Sequence, residues 1–368
     1  MENILSIGAQ RTIQSYGRFL KRFLHLGEGP FRPSQIEPIL NGYMAIAIFD
    51  PRLVHFQVQG KALSAGVELT GWVSLQELKT GLIAILREGG ILSIEDRVGV
   101  LPDPSLKGKF LALVGRAIVG LYREPTTRSE QISQLLIGDA VGILLRNKNY
   151  CLVQGPDGYI GWTPAAGLCH CEPEYFQKWV SMPRAAFLEP YEENGQCSIP
   201  LGAELPLAQR GAVLLPDKRE QRVPEKTYRP LRWLKQPQRQ TVVRMARRFL
   251  GVPYLWGGKS MQGIDCSGLV QVAYRAAGIY VSRDANQQFL AGRLVATRQY
   301  RGELTPGDLI FFAGPVGSIT HIGISLGESK YIHAAGESGV VIASLDPRDA
   351  EYDAVRAKSF VYAKRLIQ

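Results

Sequence analysis

The sequence predicts an α+β multidomain protein: a small α/β unit at the N-terminus, one or two small β-barrels after it, and an α+β domain at the C-terminus. Three observations predict this. The first hundred or so residues mix helical and strand-like hydrophobic periods; residues from about Phe110 to Leu168 break into short apolar runs punctuated by turns; and the last third sets a Gly-rich stretch and one helix ahead of alternating, β-branched runs. With 368 residues, 45% hydrophobic and 21% charged, the chain reads as globular, long enough for about two to four domains.

Composition also excludes several classes. A membrane-spanning helix needs about 18 or more consecutive apolar residues, and the sequence has no such run. The first thirty or so residues hold Lys21 and Arg22 but no apolar stretch followed by a small-residue cleavage site. A cytoplasmic location is the expectation, with the cell envelope as the alternative if the natural chain starts earlier. The five cysteines are scattered and odd in number, which is no disulfide framework. Cys169-His170-Cys171 raises a metal site, but Cys-x-Cys with one His lacks a second ligand pair, and no metal is expected. The net charge of +10 suits anionic polymers, nucleic acid included. No aromatic-plus-basic motif or zinc-finger spacing accompanies it, so nucleic acid is not expected as a partner and the excess reads as solvated surface.

Residues 1–108 form the expected α/β unit. Its opening helix is Ile13 to Leu26, with Ile13, Tyr16, Phe19, Leu20, Phe23 and Leu24 on one face and His25 as a charge at its end. Strands are expected at Arg52 to Val58 and Gly66 to Gly71, a helix from Ser74 to Arg87 capped by Ser74 with Glu77 three on, and a strand at Ile91 to Ile94. His55 has no catalytic partner in sight and reads as structural. Leu101 to Gly108, with two prolines, reads as a linker.

Residues 109–170 carry the barrel pattern, with strands at Leu111 to Leu121, Ala140 to Leu145, Tyr150 to Gln154 and around Asp157 to Trp162. Arg123-Glu-Pro, the run Ser129 to Gly138, and the closing Gly-Tyr-Ile-Gly-Trp162 resemble a bacterial SH3-type domain. A second such barrel is expected over residues 178–234, on the weaker signals Leu201-Gly202 and Ala212 to Asp217. The polar stretch Lys235 to Gln240 joins it to the last domain, 240–368.

The chemistry concentrates in that domain. Gly251-Val-Pro-Tyr-Leu-Trp-Gly-Gly258, a short spacer and Gly263-Ile-Asp-Cys-Ser-Gly268 precede a helical run, Leu269 to Ala277, that stops on Gly278. Cys266 is therefore expected at or beside a helix N-terminus, where free N–H groups and the helix dipole favour thiolate. Trp256 reads as core, and Asp265 as either a helix cap or a substrate contact. Only two of the five histidines follow Cys266: His321 opens one strand-like run and His333 lies in the next. Neighbouring strands bring both rings to one end of a sheet, so a relay is expected in which His321 takes the thiol proton and His333 fixes the tautomer of His321.

Four blocks in order, Pro253 to Gly258, Asp265 to Leu269, Pro306 to Phe312 and His321 to Ile324, resemble the NlpC/p60 family of papain-like cell-wall peptidases. The resemblance covers about Gln240 to Gln368 and implies a papain-like α+β domain with catalytic Cys266, base His321, orienting His333, and Tyr254 near the oxyanion site. Arg283-Asp284-Ala285, with Gln288, resembles the segment Arg-Asp-Ser that lines the family's cleft, though Ala285 lacks the serine hydroxyl.

SH3-type domains ahead of such a domain resemble a subgroup that cleaves the γ-D-glutamyl to L-diamino acid bond in peptidoglycan stem peptides with a free N-terminal L-Ala. That resemblance implies an acidic residue and a tyrosine from the first barrel closing the cleft, best matched by Glu130 and Tyr159, with Asp265 and Ser267 completing an amine pocket. Physically, a site selecting a cationic amine must bring a carboxylate to it. Glu130 also fits a solvated turn charge, and Tyr159 also fits packing on Trp162. The expectation is a cysteine endopeptidase of muropeptides that needs no cofactor. The alternatives are an endopeptidase or amidase on intact wall, or a non-catalytic wall-binding protein.

Overall fold

Apolar residues at helical spacing set the first well-packed element, α1 (Ile36–Ala47), whose Ile36, Ile39, Leu40 and Tyr43 are buried. The computed structural model describes residues 15, 17–19, 21–22, 32–64, 66–193, 195–231, 238–300 and 303–368. Ile13, Tyr16, Leu20, Phe23, Leu24 and His25 of the expected opening helix lie outside them, as do residues 235–237 of the joint; residues 15, 17–19 and 21–22 are helical.

The described residues up to Phe110, with Ile143–Arg146, make one compact unit. Its sheet has the order β1 (Phe56–Leu63), β2 (Gly66–Val73), β3 (Ile94–Val100), the first pair antiparallel and the second parallel. The crossover between β2 and β3 is α2 (Gln76–Glu88), which buries Leu78, Leu82, Ile85 and Leu86 beside Val67, Leu69 and Val73. Three expectations need correction. The first strand starts at Phe56 rather than Arg52, because Asp50 takes both the backbone N–H and the guanidinium of Arg52 and holds a turn there. The last strand begins at Ile94, where the expected one ends. Ser74 does not cap α2: its hydroxyl accepts the His55 backbone N–H, and the helix follows Leu75 with no side-chain cap.

The second compact unit holds Leu111–Gly142 and Asn147–Gln368. The run expected as one strand from Leu111 to Leu121 is two, β4 (Leu111–Val114) and β5 (Ile118–Tyr122), split where the N–H of Gly115 turns aside to the Gly167 carbonyl. Glycine is required at that break, since a Cβ on Gly115 would lie 2.4 Å from Cys169 Sγ. Then come β6 (Gln131–Leu136), β7 (Ala140–Asn147), β8 (Tyr150–Gln154), β9 (Ile160–Pro164) and β10 (Leu168–His170), in the sheet order β10-β4-β7-β8-β9-β5-β6.

Helix α3 (Pro173–Ser181) drives Trp179 into a core with Leu113, Leu136, Phe187 and Leu205, and the indole N–H satisfies the Gly138 carbonyl. The segment that follows is all-β but divided among small antiparallel sheets. β11 (Arg184–Phe187) pairs with β14 (Glu204–Pro206) and β17 (Tyr228–Pro230), while β12 (Tyr191–Glu193) with β13 (Gln196–Ile199) and β15 (Ala212–Leu214) with β16 (Glu220–Arg222) form hairpins.

The last part packs α4 (Arg239–Arg247) and α5 (Cys266–Arg275) on one sheet, with a two-residue-a-side hairpin, β18 (Lys259–Ser260) and β19 (Gly263–Ile264), leading into α5. The sheet order is β20 (Arg293–Thr297), β25 (Phe360–Arg365), β21 (Leu309–Ala313), β22 (Ile319–Gly327), β23 (Lys330–Ala335), β24 (Gly339–Ser344), all antiparallel. Short helices α6 (Ala285–Gln288) and α7 (Ala354–Ser359) flank it. Phe249, Val270, Tyr274, Phe311, Ile322 and Ile332 make its core. Helices and strands segregated in this way give the α+β class the sequence predicts. Among the described residues no helix is long and apolar enough to cross a membrane.

Candidate active site

Cys266 is the first residue of α5, and the turn before it explains why. Asp265 has extended backbone angles and caps the helix, its Oδ1 accepting from Gly268 N at 2.7 Å and its Oδ2 from Gly257 N at 2.9 Å. Gly268 admits no side chain, because a Cβ there would stand 2.2 Å from the Gly258 carbonyl oxygen. The backbone N–H groups of Ile322 and Ser267 face the Cys266 sulfur and favour thiolate, as does Arg283. Burial outweighs them: with the neighbouring Asp265 charge, it pushes the thiol up to about 12. Burial and the helix start thus pull the thiol in opposite directions.

Strands β22 and β23 are antiparallel neighbours, and they bring the two histidines into contact. His321 Nε2 and His333 Nδ1 are 2.8 Å apart, and the rings stand at 85° with centroids 5.0 Å apart. With Nε2 occupied by His333, Nδ1 is the nitrogen His321 has left for a thiol proton. Burial, then the Arg356 guanidinium, then His333 hold His321 down near 2; burial and Arg356 hold His333 near 4 against the pull of Asp353. Both imidazoles are neutral in the free site. Tyr254 bridges to Ile264, and burial first, then the neighbouring Cys266 and Asp265, raises its phenol well above the ordinary value.

The first barrel supplies the facing wall. Its β6 region runs along the stretch Trp256 to Lys259, close enough that a Cβ on Gly257 would meet the Gln131 carbonyl at 2.6 Å. Gln131 Nε2 donates to the Trp256 carbonyl and Lys259 N donates to Gln134 Oε1. Trp256 is not core: it is 60% exposed, and its indole N–H donates to Glu130 Oε1 at 2.9 Å. Glu130 Oε2 takes Arg123, which holds its carboxyl below the usual range. Tyr159 is buried and donates its hydroxyl to Asp284 Oδ2 at 3.0 Å, across the same seam.

Arg283 does not line an open cleft. It is 1% exposed and works as an internal brace, donating to Ser133 Oγ of the barrel, to both oxygens of Asp265 at 3.1 and 2.6 Å, and to Ser267 Oγ at 2.9 Å. Ser267 Oγ in turn donates to Asp265. Asp265 and Ser267 are thus spent on the brace and the cap. Asp284 caps α6 with Gln287 in a reciprocal pair, and Gln288 Nε2 holds the Ser267 carbonyl. The residue that sequence reading misses is Arg356. It lies on α7, far from every motif, and no spacing ties it to the histidines whose protonation it opposes, second to burial.

Residues 251–358 match the model of the NlpC/P60 family, and residues 121–168 that of the bacterial dipeptidyl-peptidase Sh3 domain. A gamma-D-glutamyl-L-lysine dipeptidyl-peptidase of Bacillus subtilis (strain 168) is 30% identical over 217 residues, covering 55% of this chain and 71% of the relative. The chain belongs to the NlpC/P60 family. It is a peptidase of that family. A protein of the same name from Bacillus cereus (strain ATCC 10987 / NRS 248) is 28% identical over 233 residues, covering 57% of this chain and 68% of its own. In fold, the chain is similar to the crystal structure of an NlpC/P60 family protein from Bacillus cereus ATCC 10987, with a TM-score of 0.60 at 22% identity over 70% of this chain and all of that one.

Proposed function

We propose that this NlpC/P60 protein hydrolyses the γ-D-glutamyl-L-diamino acid bond of peptidoglycan stem peptides that carry a free N-terminal L-Ala. The observation that carries the reading is the joining of two things: a thiol at a helix start whose sulfur faces the backbone N–H of Ile322, next to the hydrogen-bonded His321, and a barrel wall that brings Glu130 to Trp256 and Tyr159 to Asp284. Two relatives are named gamma-D-glutamyl-L-lysine dipeptidyl-peptidase, which supports the bond and the substrate class. In this reading 1–108, 109–170, 178–234 and 240–368 are the modules, and only the second and fourth meet the substrate.

Cys266 gives its proton to His321 Nδ1 as the sulfur attacks the γ-glutamyl carbonyl, and the His321 Nε2–H donates to His333 Nδ1, which stabilises the imidazolium as it forms. Backbone N–H groups at the start of α5, with the Tyr254 hydroxyl, take the oxyanion. His321 then protonates the leaving amine of the diamino acid, and in the second half activates water to release the acyl group from sulfur. Glu130, kept ionised by Arg123, receives the N-terminal ammonium, with Tyr159 closing that end. Arg283, Asp265, Ser267 and Asp284 position the nucleophile helix and the wall rather than touch the reacting atoms. A site that demands a free amine works on peptides already released from the wall, which suits recycling in the cytoplasm.

The test is Cys266→Ala. It is expected to keep the circular dichroism and melting profile of the parent while losing all cleavage of L-Ala-γ-D-Glu-L-Lys, and turnover at the parental rate ends the proposal.

A further inference from the structure

A cavity of about 230 Å3 is lined by none of the residues assigned above to catalysis or to the amine pocket. Its walls are Leu136 of β6, Asp157 ahead of β9, Lys259 of β18, and Gln271, Val272 and Arg275 from the C-terminal half of α5. That is smaller than the roughly 300–1,000 Å3 of a drug-sized pocket and several times the ~30 Å3 share of one water. A molecule the size of a small amino acid fits it.

Two polar groups on these walls are incompletely paired. Lys259 is 4% exposed, yet its ammonium meets no hydrogen-bond acceptor among the described residues; its one ion-pair contact is to Asp157 Oδ2 at 3.8 Å. Gln271 is 8% exposed, its amide nitrogen donates to Asp157 and to the Val281 carbonyl, and its oxygen accepts nothing. A buried acceptor with no donor, and a cation held only by a long ion pair, leave free energy that a bound partner recovers. The missing groups are an anion for Lys259 and a donor for Gln271.

The surrounding charge says what net charge the ligand has. Arg275 pairs with Asp139 at 2.8 Å and with Glu204 at 3.0 Å, Glu204 also pairs with Arg184 at 3.4 Å, and Asp157 balances Lys259. Three cations face three carboxylates, so an added net charge of either sign in this largely buried cluster would be uncompensated. We propose that the cavity binds a small zwitterionic α-amino acid, its carboxylate on the Lys259 ammonium and its ammonium between the Gln271 oxygen and the Asp157 carboxylate. Leu136 and Val272 offer an apolar wall to a short side chain. The occupant would tie the barrel, through Asp157, to the helix that begins with Cys266.

The experiment is calorimetric titration of the full chain with L-alanine, sodium acetate and ethylammonium chloride, before and after alkylation of Cys266 by iodoacetamide. L-Alanine is expected to bind one to one in both states, at least tenfold more tightly than either single-charge analogue. Lys259→Met is expected to weaken it at least tenfold; Gln271→Leu, which removes the acceptor without a charge, does the same and serves if the lysine variant does not fold. Absence of binding, loss of binding on alkylation, acetate binding as tight as L-alanine, or full affinity in a folded Gln271→Leu protein would each overturn the assignment.

Discussion

Replacing Arg283 by Met removes the brace and leaves the buried Asp265 carboxylate without its cation. The wild-type residue donates to Asp265, Ser267 and Ser133, and the side chains of Arg283 and Asp265 are only 1% and 7% exposed. Truncating one partner of such a pair costs about 3–5 kcal/mol, equivalent to a fall of roughly 6–20 °C in melting temperature for a unit of this size. The exposed pair Arg123–Glu130, 63% and 40% exposed, sets the contrast, since pairs of that kind are worth about 0–1 kcal/mol. The assay is urea unfolding followed by tryptophan fluorescence, comparing Arg283→Met, Arg123→Met and the double variant Arg283→Met with Asp265→Asn. The first should shift the midpoint far more than the second, and the double variant should recover part of the loss because no uncompensated charge remains. If Arg283→Met is destabilised by no more than Arg123→Met, the brace is not what joins barrel and catalytic domain.

The pH profile of kcat/KM follows from the directions of the shifts. Catalysis needs neutral His321, whose protonation is opposed first by burial and then by Arg356, so activity should persist as pH falls through 6.5 and fail only well below it. The thiol is raised by burial, so the alkaline limb should lie above 9. Arg356→Gln removes one repelling charge and should move the acid limb upward; an acid limb at or above 6.5 in the parent, or none of that movement in the variant, contradicts the assignment. Glu130→Gln should raise KM for the free-amine peptide roughly 10- to 100-fold, the worth of about 1.5–3 kcal/mol for a hydrogen bond to a charged group, while leaving kcat little changed. Tyr159→Phe loses one hydrogen bond to Asp284, about 1 kcal/mol or roughly fivefold in kcat/KM; unchanged kinetics in both variants would remove the barrel from the site.

Much of this arrangement is legible in the sequence, because motif spacing survives where geometry is local. Asp265-Cys266-Ser267-Gly268 ahead of an apolar helical run reads directly as a helix start, and the alternation around His321 and His333 reads as two strands. Long-range contacts are what sequence does not carry. The hydrogen bond from Trp256 to Glu130 spans 126 positions, and that from Arg283 to Ser133 spans 150, so nothing local marks Trp256 as an exposed partner of the barrel or Arg283 as an internal brace. The thiol shows the same limit: a helix N-terminus is visible in sequence, whereas the burial that outweighs it depends on the sheet packed over it. The same holds in the N-terminal unit, where the Ser74 hydroxyl accepts from the His55 backbone N–H, 19 positions away, instead of capping α2.

Mass-resolved turnover of L-Ala-γ-D-Glu-diaminopimelate beside its N-acetylated twin reads both the bond cleaved and its need for a free amine. Only the free-amine peptide is expected to be cut, giving L-Ala-D-Glu and diaminopimelate. Equal cleavage of both peptides would contradict the Glu130 amine pocket, and cleavage of neither would contradict the proposed reaction itself.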